Sequence, residues 1–164
     1  MSHVTQVTET KNFQRASLTA VTGSVVPSKT VTSTQPVSGS GSVVMGSSLN
    51  YLKMKLHSDS TAALTVSIFG WSYYAESNSW VPQLIATLNT TQGTVAQTLP
   101  GISGNLYESR VYALASGDAK IYNSPATETP GAFILFDTLG CILVEVYATA
   151  ASSTPVVYVW TSGL

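Results

Sequence analysis

The chain has 164 residues, the size of one ordinary domain, and only 9% of them are charged, against roughly 25% in a typical soluble domain. Seven basic and eight acidic residues give a net charge of −1, so there is no basic stripe for a phosphate backbone. The single cysteine excludes a disulfide scaffold and a multi-cysteine zinc site. No apolar run is long enough to span a bilayer as a helix. We therefore expect one domain with neither nucleic-acid nor membrane partners.

The sequence divides into two predicted regions, an N-terminal arm at 1–45 and a body at 46–164. Residues 22–42 are rich in Ser, Thr and Gly, and the run at 38–42 has the composition of a flexible joint. Scattered β-branched residues such as Val31 favour an extended backbone. We expect an arm that becomes ordered only when it docks on another subunit. The alternative is an ordinary first strand or two followed by a loop.

The arm is also the basic part of the chain. Its three cations, Lys11, Arg15 and Lys29, stand against the single acid Glu9, which gives the arm +2 and leaves −3 on the body. A basic extended arm can add a strand to the sheet edge of a neighbour. These cations and Val31 are therefore candidate interface residues, and deletion of 1–42 is expected to leave the fold intact.

The body begins with two alternating apolar runs, at 52–56 and at 64–68, separated by a polar turn cluster. Period-2 alternation is typical of half-buried strands, and the short separation predicts a hairpin. The segment 80–91 contains Pro82, which fits a strand start or an edge position. Short strands are expected at 94–99, 110–115 and 119–122, with the last two joined by a turn at 116–118.

The C-terminal third contains three more β-rich runs, at 132–138, 140–149 and 155–161, and the last two are predicted to form a closing hairpin. No segment has sustained helical periodicity. About eight strands predict an all-β fold, a single antiparallel β-sandwich of jelly-roll form with an extended N-terminal arm. The predicted core residues are Leu52, Met54, Leu64, Val66, Ile68, Leu143 or Val144, and Val157.

The sequence offers little for catalysis. His57, Ser58 and Asp59 are the residue types of a hydrolase triad, but triad members act from separate elements, so we expect His57 to face solvent at a strand end. The acidic residues are too scattered for a metal site. Cys141, at the start of an apolar strand, is expected to be a small buried hydrophobe. We predict a protein that is not an enzyme, with no catalytic residue, metal or cofactor.

The most distinctive segment is 69–80, where aromatic residues flank a polar turn. The side chains concerned are Trp71, Tyr73, Tyr74 and Trp80. Such rings are enriched at protein interfaces and can also stack on sugars. We favour a core or subunit-interface role over a sugar-binding platform, and the alternative function is a carbohydrate-binding or adhesive β-sandwich, as in a head fibre or receptor-binding module.

A family resemblance rests on three segments: Gly70-Trp71 at a strand end, the run WVPQL at 80–84, and the closing pair GCILVEVYAT and PVVYVWT. Over roughly residues 49–164 the chain resembles small jelly-roll proteins of tailed-phage virions, above all the capsid decoration, or cement, proteins. The resemblance implies a homotrimer on the capsid surface that binds the major capsid protein and clamps neighbouring shell subunits. The sequence shows no signal-peptide pattern, which fits a virion part assembled in the host cytoplasm.

Overall fold

The computed structural model describes residues 14–46, 51–58, 62–91, 94–98, 111–112, 121–123, 134–138 and 140–163. Three predictions concern parts of the chain outside this description: the role of Lys11, the burial of the Leu52 side chain, and the turn at 116–118. The described strands, in chain order, are β1 (Gln14–Thr19), β2 (Val21–Thr22), β3 (Ser42–Gly46), β4 (Tyr51–Ser58), β5 (Leu64–Tyr74), β6 (Ser79–Thr91), β7 (Thr94–Thr98), β8 (Val111–Tyr112), β9 (Ile121–Asn123), β10 (Ile134–Asp137), β11 (Leu143–Ala150) and β12 (Val156–Gly163).

These strands form two sheets, which we call sheet A and sheet B. Sheet A has the order β1-β12-β4-β10-β8, and β9 pairs in parallel with β4. Sheet B has the order β2-β11-β5-β6-β7, and β3 pairs antiparallel with β11. Strands β2 and β3 pair with successive parts of β11, at Thr149–Ala150 and Leu143–Tyr147. This edge of sheet B is therefore shared by two short strands of opposite direction, since β2 is parallel to β11 and β3 is antiparallel to it.

The two sheets pack face to face around one main hydrophobic core. It draws Met54, Leu56, Val157 and Val159 from sheet A, and other aliphatic side chains from sheet B. The predicted core residues whose side chains are described are all buried: Met54, Leu64, Val66, Ile68, Leu143, Val144 and Val157. Packed antiparallel and mixed sheets of this kind confirm the all-β sandwich. The jelly-roll form stays a prediction.

Both predicted hairpins are wrong. Strand β4 belongs to sheet A and β5 to sheet B, and β11 and β12 are divided between the sheets in the same way. Likewise, β8 pairs with β10, whereas β9 pairs with β4. Alternation indicates which face of a strand is buried, but it does not indicate which strand pairs with it. In a sandwich, consecutive strands can bury their apolar faces against each other from opposite sheets.

Residues 14–46 are part of both sheets, so this portion of the N-terminal region is not a separate arm. Strand β1 pairs with β12 over its whole length. Leu18, Ala20 and Met45 are buried in the main core. The boundary at residue 45 falls within β3. The alternative interpretation, first strands followed by a loop, describes residues 14–46. These strands pair with the edges of the chain's own sheets.

The pairing of β5 with β6 in sheet B is irregular at one point. Ile68 pairs with Ala86 and Phe69 with Leu84, which leaves Ile85 as the extra residue of a bulge. Ile85 is fully buried. Pro82 lies in a part of β6 that precedes the residues paired with β7. This agrees with the predicted edge position of Pro82.

Candidate functional site

The predicted interface residues lie on two opposite faces of the sandwich. Arg15 lies on the outer face of sheet A, where β1 pairs with β12. Trp71, Tyr73 and Tyr74 belong to β5 and Trp80 to β6, in sheet B. Lys29 and Val31 lie in the connection between β2 and β3. The sequence treated these residues as one candidate interface, and the structure divides them.

Residues 23–38, which make up most of the connection between β2 and β3, are called the strap. It leaves the sheet edge at Gly23, whose N–H donates to the Ala150 carbonyl at 2.9 Å. Thr32 then pairs with Trp80 at the start of β6, with the two backbone hydrogen bonds at 3.1 and 2.7 Å. Since β11 and β6 lie on either side of β5, the strap crosses the outer face of sheet B.

The strap covers a second, smaller hydrophobic cluster. Phe69, Trp71 and Leu143 are buried there, and Val26 of the strap packs against them. Trp80, Leu84, Val44 and Tyr147 are partly buried around the same cluster. Trp71 is therefore a core residue of this face and is not available to stack on a sugar. This confirms the preference for a core role at that position.

A buried carboxylate anchors the strap to the sheet. The Lys29 ammonium donates to Glu145 Oε1 at 2.9 Å, and the Trp71 indole N–H donates to Glu145 Oε2 at 3.0 Å. The Glu145 side chain is 4% exposed and that of Lys29 is 22% exposed. Lys29 also lies 5.1 Å from the centre of the Tyr147 ring. This cation, predicted as a contact to another subunit, is used inside the chain.

The tip of the β5–β6 hairpin presents aromatic rings to solvent. Residues Ala75–Ser77 form one turn of 3-10 helix, which ends at Asn78 in the left-handed conformation with φ of 47°. The Tyr73 hydroxyl donates to Asn78 Oδ1 at 2.9 Å, and the Tyr73 ring lies 5.2 Å from that of Trp80. Tyr73 and Tyr74 are both exposed. They remain candidate contact residues.

The strap exposes apolar side chains among its Ser, Thr and Gln residues. Three of its four valines, Val25, Val31 and Val37, are 78, 58 and 75% exposed. Val31 is next to Thr32, and therefore close to the Trp80 end of the hairpin. We call the three valines with Tyr73 and Tyr74 the strap surface. Of these residues the sequence singled out Val31, Tyr73 and Tyr74, and it missed the other two valines because β-branched residues are equally common in buried strands.

On the opposite face, on sheet A, the selected Arg15 lies among residues that the sequence analysis did not select. Arg15, Trp160 and Lys55 occupy one register row across β1, β12 and β4, and Ser17, Tyr158 and His57 occupy the next. His57 is buried, so the expectation that it faces solvent is wrong. Its ring stacks against Tyr158, with centroids 6.1 Å apart. The alternation of Tyr158 and Trp160 with buried valines was visible in the sequence, but their partners on β1 and β4 were not.

For enzymatic chemistry, the described part of the chain offers no group of three or more His, Cys, Asp or Glu residues that could hold a metal ion. Cys141 is a free, buried thiol, as predicted. It accepts a weak hydrogen bond from the Ser72 hydroxyl at 3.6 Å. The absence of catalysis and of a cofactor stays a prediction.

Comparison of the chain with protein-family models, with curated proteins and with solved structures finds no match. Among the described residues, no helix has the length and apolar character needed to cross a membrane.

Proposed function

We propose that this chain is a non-enzymatic virion structural protein, a decoration protein that binds the major capsid protein on the outer surface of a phage head. The observation that carries this proposal is the strap surface, in which three valines of the strap and two tyrosines of the hairpin tip are exposed on a chain with 9% charged residues. Exposed apolar and aromatic side chains are the residues through which proteins commonly bind one another. The function is burial of that surface, with no chemical step.

The strand pairing supports the jelly-roll form on which the proposal draws. Eight strands, taken in chain order as β1, β3, β4, β5, β6, β10, β11 and β12, pair as four nested antiparallel couples. The first pairs with the last, the second with the seventh, the third with the sixth, and the fourth with the fifth. A long antiparallel ribbon that rolls into two packed sheets has this nesting, which is the pattern of a double-sheet jelly roll.

The proposed mode of action is a homotrimer that clamps neighbouring shell subunits. The strap is tied to sheet B at both edges and at its centre by Lys29 and Glu145. Its valines are therefore held in place before binding, which lowers the conformational entropy that binding must remove. Assembly in the host cytoplasm and residence on the capsid surface complete the proposal.

The alternative function, a carbohydrate-binding or adhesive module built on the 69–80 segment, has less support. Trp71 is buried under the strap, and Trp80 is covered in part by Tyr73. Two exposed tyrosines remain at the tip. A flat platform of four rings, as that alternative requires, is not formed by the described residues.

The decisive experiment is stoichiometry on particles. Virus particles from the source of this chain are purified, and quantitative mass spectrometry counts its copies per major capsid subunit. A decoration protein gives a constant ratio between preparations and leaves the particle surface when it is stripped. A variable trace amount, or absence from particles, would contradict the proposal.

The strap surface is tested by adding purified protein back to stripped particles. The variant Val31→Asp with Val37→Asp places two carboxylates on that surface and is expected to bind about tenfold more weakly or worse, as loss of an interface hot spot does. The control Ser17→Asp with Thr19→Asp adds the same charge to exposed positions of β1 on sheet A. Equal binding of both variants would exclude the strap surface as the contact.

A further inference from the structure

Strand β1 lies at one end of sheet A, and among the described strands only β12 pairs with it. This pairing runs without a bulge from Gln14 to Thr19. Natural proteins commonly protect an edge strand with a proline, a bulge or several charges. Strand β1 contains neither proline nor glycine, and its one charged residue is Arg15. The edge is therefore regular enough to accept a further strand.

The hydrogen-bond pattern shows which residues of β1 direct their backbone groups toward the open edge. In an antiparallel ladder, residues that exchange N–H···O bonds with the neighbouring strand alternate with residues whose groups point away from it. The Ala20 N–H donates to the Pro155 carbonyl at 2.9 Å, one register step beyond the last pair of β1 with β12. The even-numbered residues of β1 therefore bond to β12. The odd-numbered residues point to the open edge, and all three have exposed side chains: Arg15, Ser17 and Thr19.

We propose that two copies of this chain pair edge to edge through β1, antiparallel and about a two-fold axis at Ser17. In this register Ser17 faces Ser17 of the second copy, and Arg15 faces Thr19 of the second copy. All three outward-directed residues then exchange backbone hydrogen bonds, two for each facing pair. A register centred on Arg15 would pair fewer residues of β1 and would place two guanidinium groups opposite each other, which is unfavourable. Strand β1 is therefore complementary to itself in the register centred on Ser17.

The apolar face of β1 also fits a second copy. In the proposed register Ala16 faces Leu18 of the second copy, so a small side chain lies beside a large one. Leu18 is buried in the main core, and Ala16 is partly buried against it. Backbone hydrogen bonds supply most of the affinity when a strand is added to a sheet edge. Because the contact is small, we expect it to be weak and to form at high protein concentration.

This two-fold pairing goes beyond the proposed function and does not depend on it. The pairing uses the edge of sheet A, whereas particle binding is proposed for the strap surface on sheet B. A two-fold contact joins copies in pairs and does not close a ring of three. The proposed homotrimer would therefore use other surfaces, and failure of either proposal leaves the other intact.

The first test is disulfide trapping at high protein concentration in the full-length Cys141→Ala variant, which lacks the single natural thiol. Cα atoms that face each other across a hydrogen-bonded antiparallel pair are about 5.5 Å apart, which is within the range of a disulfide. Adding Ser17→Cys is therefore expected to give a covalent dimer under mild oxidation, as seen on a non-reducing gel. Ser152→Cys, in the exposed β11–β12 loop, is the matched control and should stay unlinked.

The register is tested by mixing two further variants in the same background, Arg15→Cys and Thr19→Cys. Each thiol faces the other variant in the proposed pairing, so mass spectrometry should find mainly the mixed dimer. Linkage of Arg15→Cys to itself as readily as to Thr19→Cys would overturn the proposal. Trapping of the Ser152→Cys control as fast as Ser17→Cys would also overturn it.

A proline variant gives a second measurement that needs no added thiol. Ser17→Pro removes an N–H that points away from β12, and proline is tolerated at such edge positions, so the unfolding midpoint should stay close to that of the parent. Sedimentation at rising concentration should show pairing of the parent and pairing about tenfold weaker or worse for Ser17→Pro. Ser17→Ala keeps the N–H and should pair as the parent does. Equal association of all three proteins, or linkage of Ser17→Cys to a different protein in preference to itself, would overturn the proposal.

Discussion

Glu145 illustrates how a single residue controls the outer face of sheet B. Its carboxylate lies under the strap, where it accepts one hydrogen bond from Lys29 and one from Trp71. A buried carboxylate is costly unless it is paired and hydrogen-bonded. The pair therefore contributes less net stability than its short distance suggests, but each partner depends on the other. The Lys29–Glu145 pair also determines where the strap crosses sheet B.

Substitution of Lys29 by Met is expected to lower the free energy of unfolding by about 2–3 kcal/mol, because it leaves the Glu145 charge buried without its counter-ion. The double variant Lys29→Met with Glu145→Gln should recover much of this loss, since the amide oxygen still accepts from Trp71. Urea unfolding measures both. The control Thr30→Met changes a neighbouring exposed position and should be neutral. A Lys29→Met variant as stable as the control would show that the ion pair does not hold the strap.

A second residue-scale prediction concerns Gly70, which the side chains of Cys141 and Ile85 approach closely. A Cβ at this position would lie 2.5 Å from Cys141 Sγ and 3.1 Å from Ile85 Cδ1. Gly70→Ala is therefore expected to destabilise the protein by about 1–3 kcal/mol through overpacking. Adding Cys141→Ala removes the nearer atom and should restore part of the stability. Gly46→Ala, which meets no atom within 4 Å, is the control, and equal midpoints for the two glycine variants would contradict the prediction.

At the scale of elements, the N-terminal strands are structural parts of the sandwich. Strand β1 completes one edge of sheet A, and β2 and β3 complete one edge of sheet B. The strap connects β2 to β3 and covers the second hydrophobic cluster, which would otherwise be exposed. Deletion of residues 1–42 removes β1, β2 and the strap together, so it is now expected to unfold the protein, contrary to what the sequence predicted.

A point substitution tests the same conclusion without a truncation. Leu18→Ala in β1 should destabilise by about 2–5 kcal/mol, as for any large-to-small change in a core, and Ile68→Ala in β5 should fall in the same range. Both side chains are buried in the main core. Ser17→Ala at the exposed neighbouring position should be neutral. If Leu18→Ala leaves the midpoint of thermal unfolding unchanged, β1 is not an integral strand.

At the scale of the whole molecule, the two faces of the sandwich have different surface chemistry. The strap surface on sheet B exposes valines and tyrosines, whereas sheet A presents basic residues on aromatic rings. Binding through one face leaves the other open to solvent. A protein seated on a shell by its strap surface would therefore present Arg15, Trp160 and Lys55 to its surroundings.

The prediction for the whole molecule is that the homotrimer persists at high salt. Since the surface carries few charges, association should depend on apolar and hydroxyl contacts, which salt does not screen. Raising NaCl to about 0.5 M shortens the screening length to roughly 4 Å, yet the mass measured by light scattering after size exclusion should stay that of a trimer. Dissociation to monomers at this salt concentration, or a monomer throughout, would contradict the prediction.

The sequence by itself determined the all-β class, most strand positions and the buried face of each strand, because alternation depends on local backbone geometry. It also identified Trp71 as a core candidate and Cys141 as buried. The tertiary structure decided which strands pair, where the N-terminal region lies, and which candidate residues share a face. In the folded chain Lys29 contacts Glu145 and Arg15 lies beside Trp160. Both contacts join residues that are far apart in the sequence. Such pairings depend on how two sheets close around one core, which no local pattern specifies.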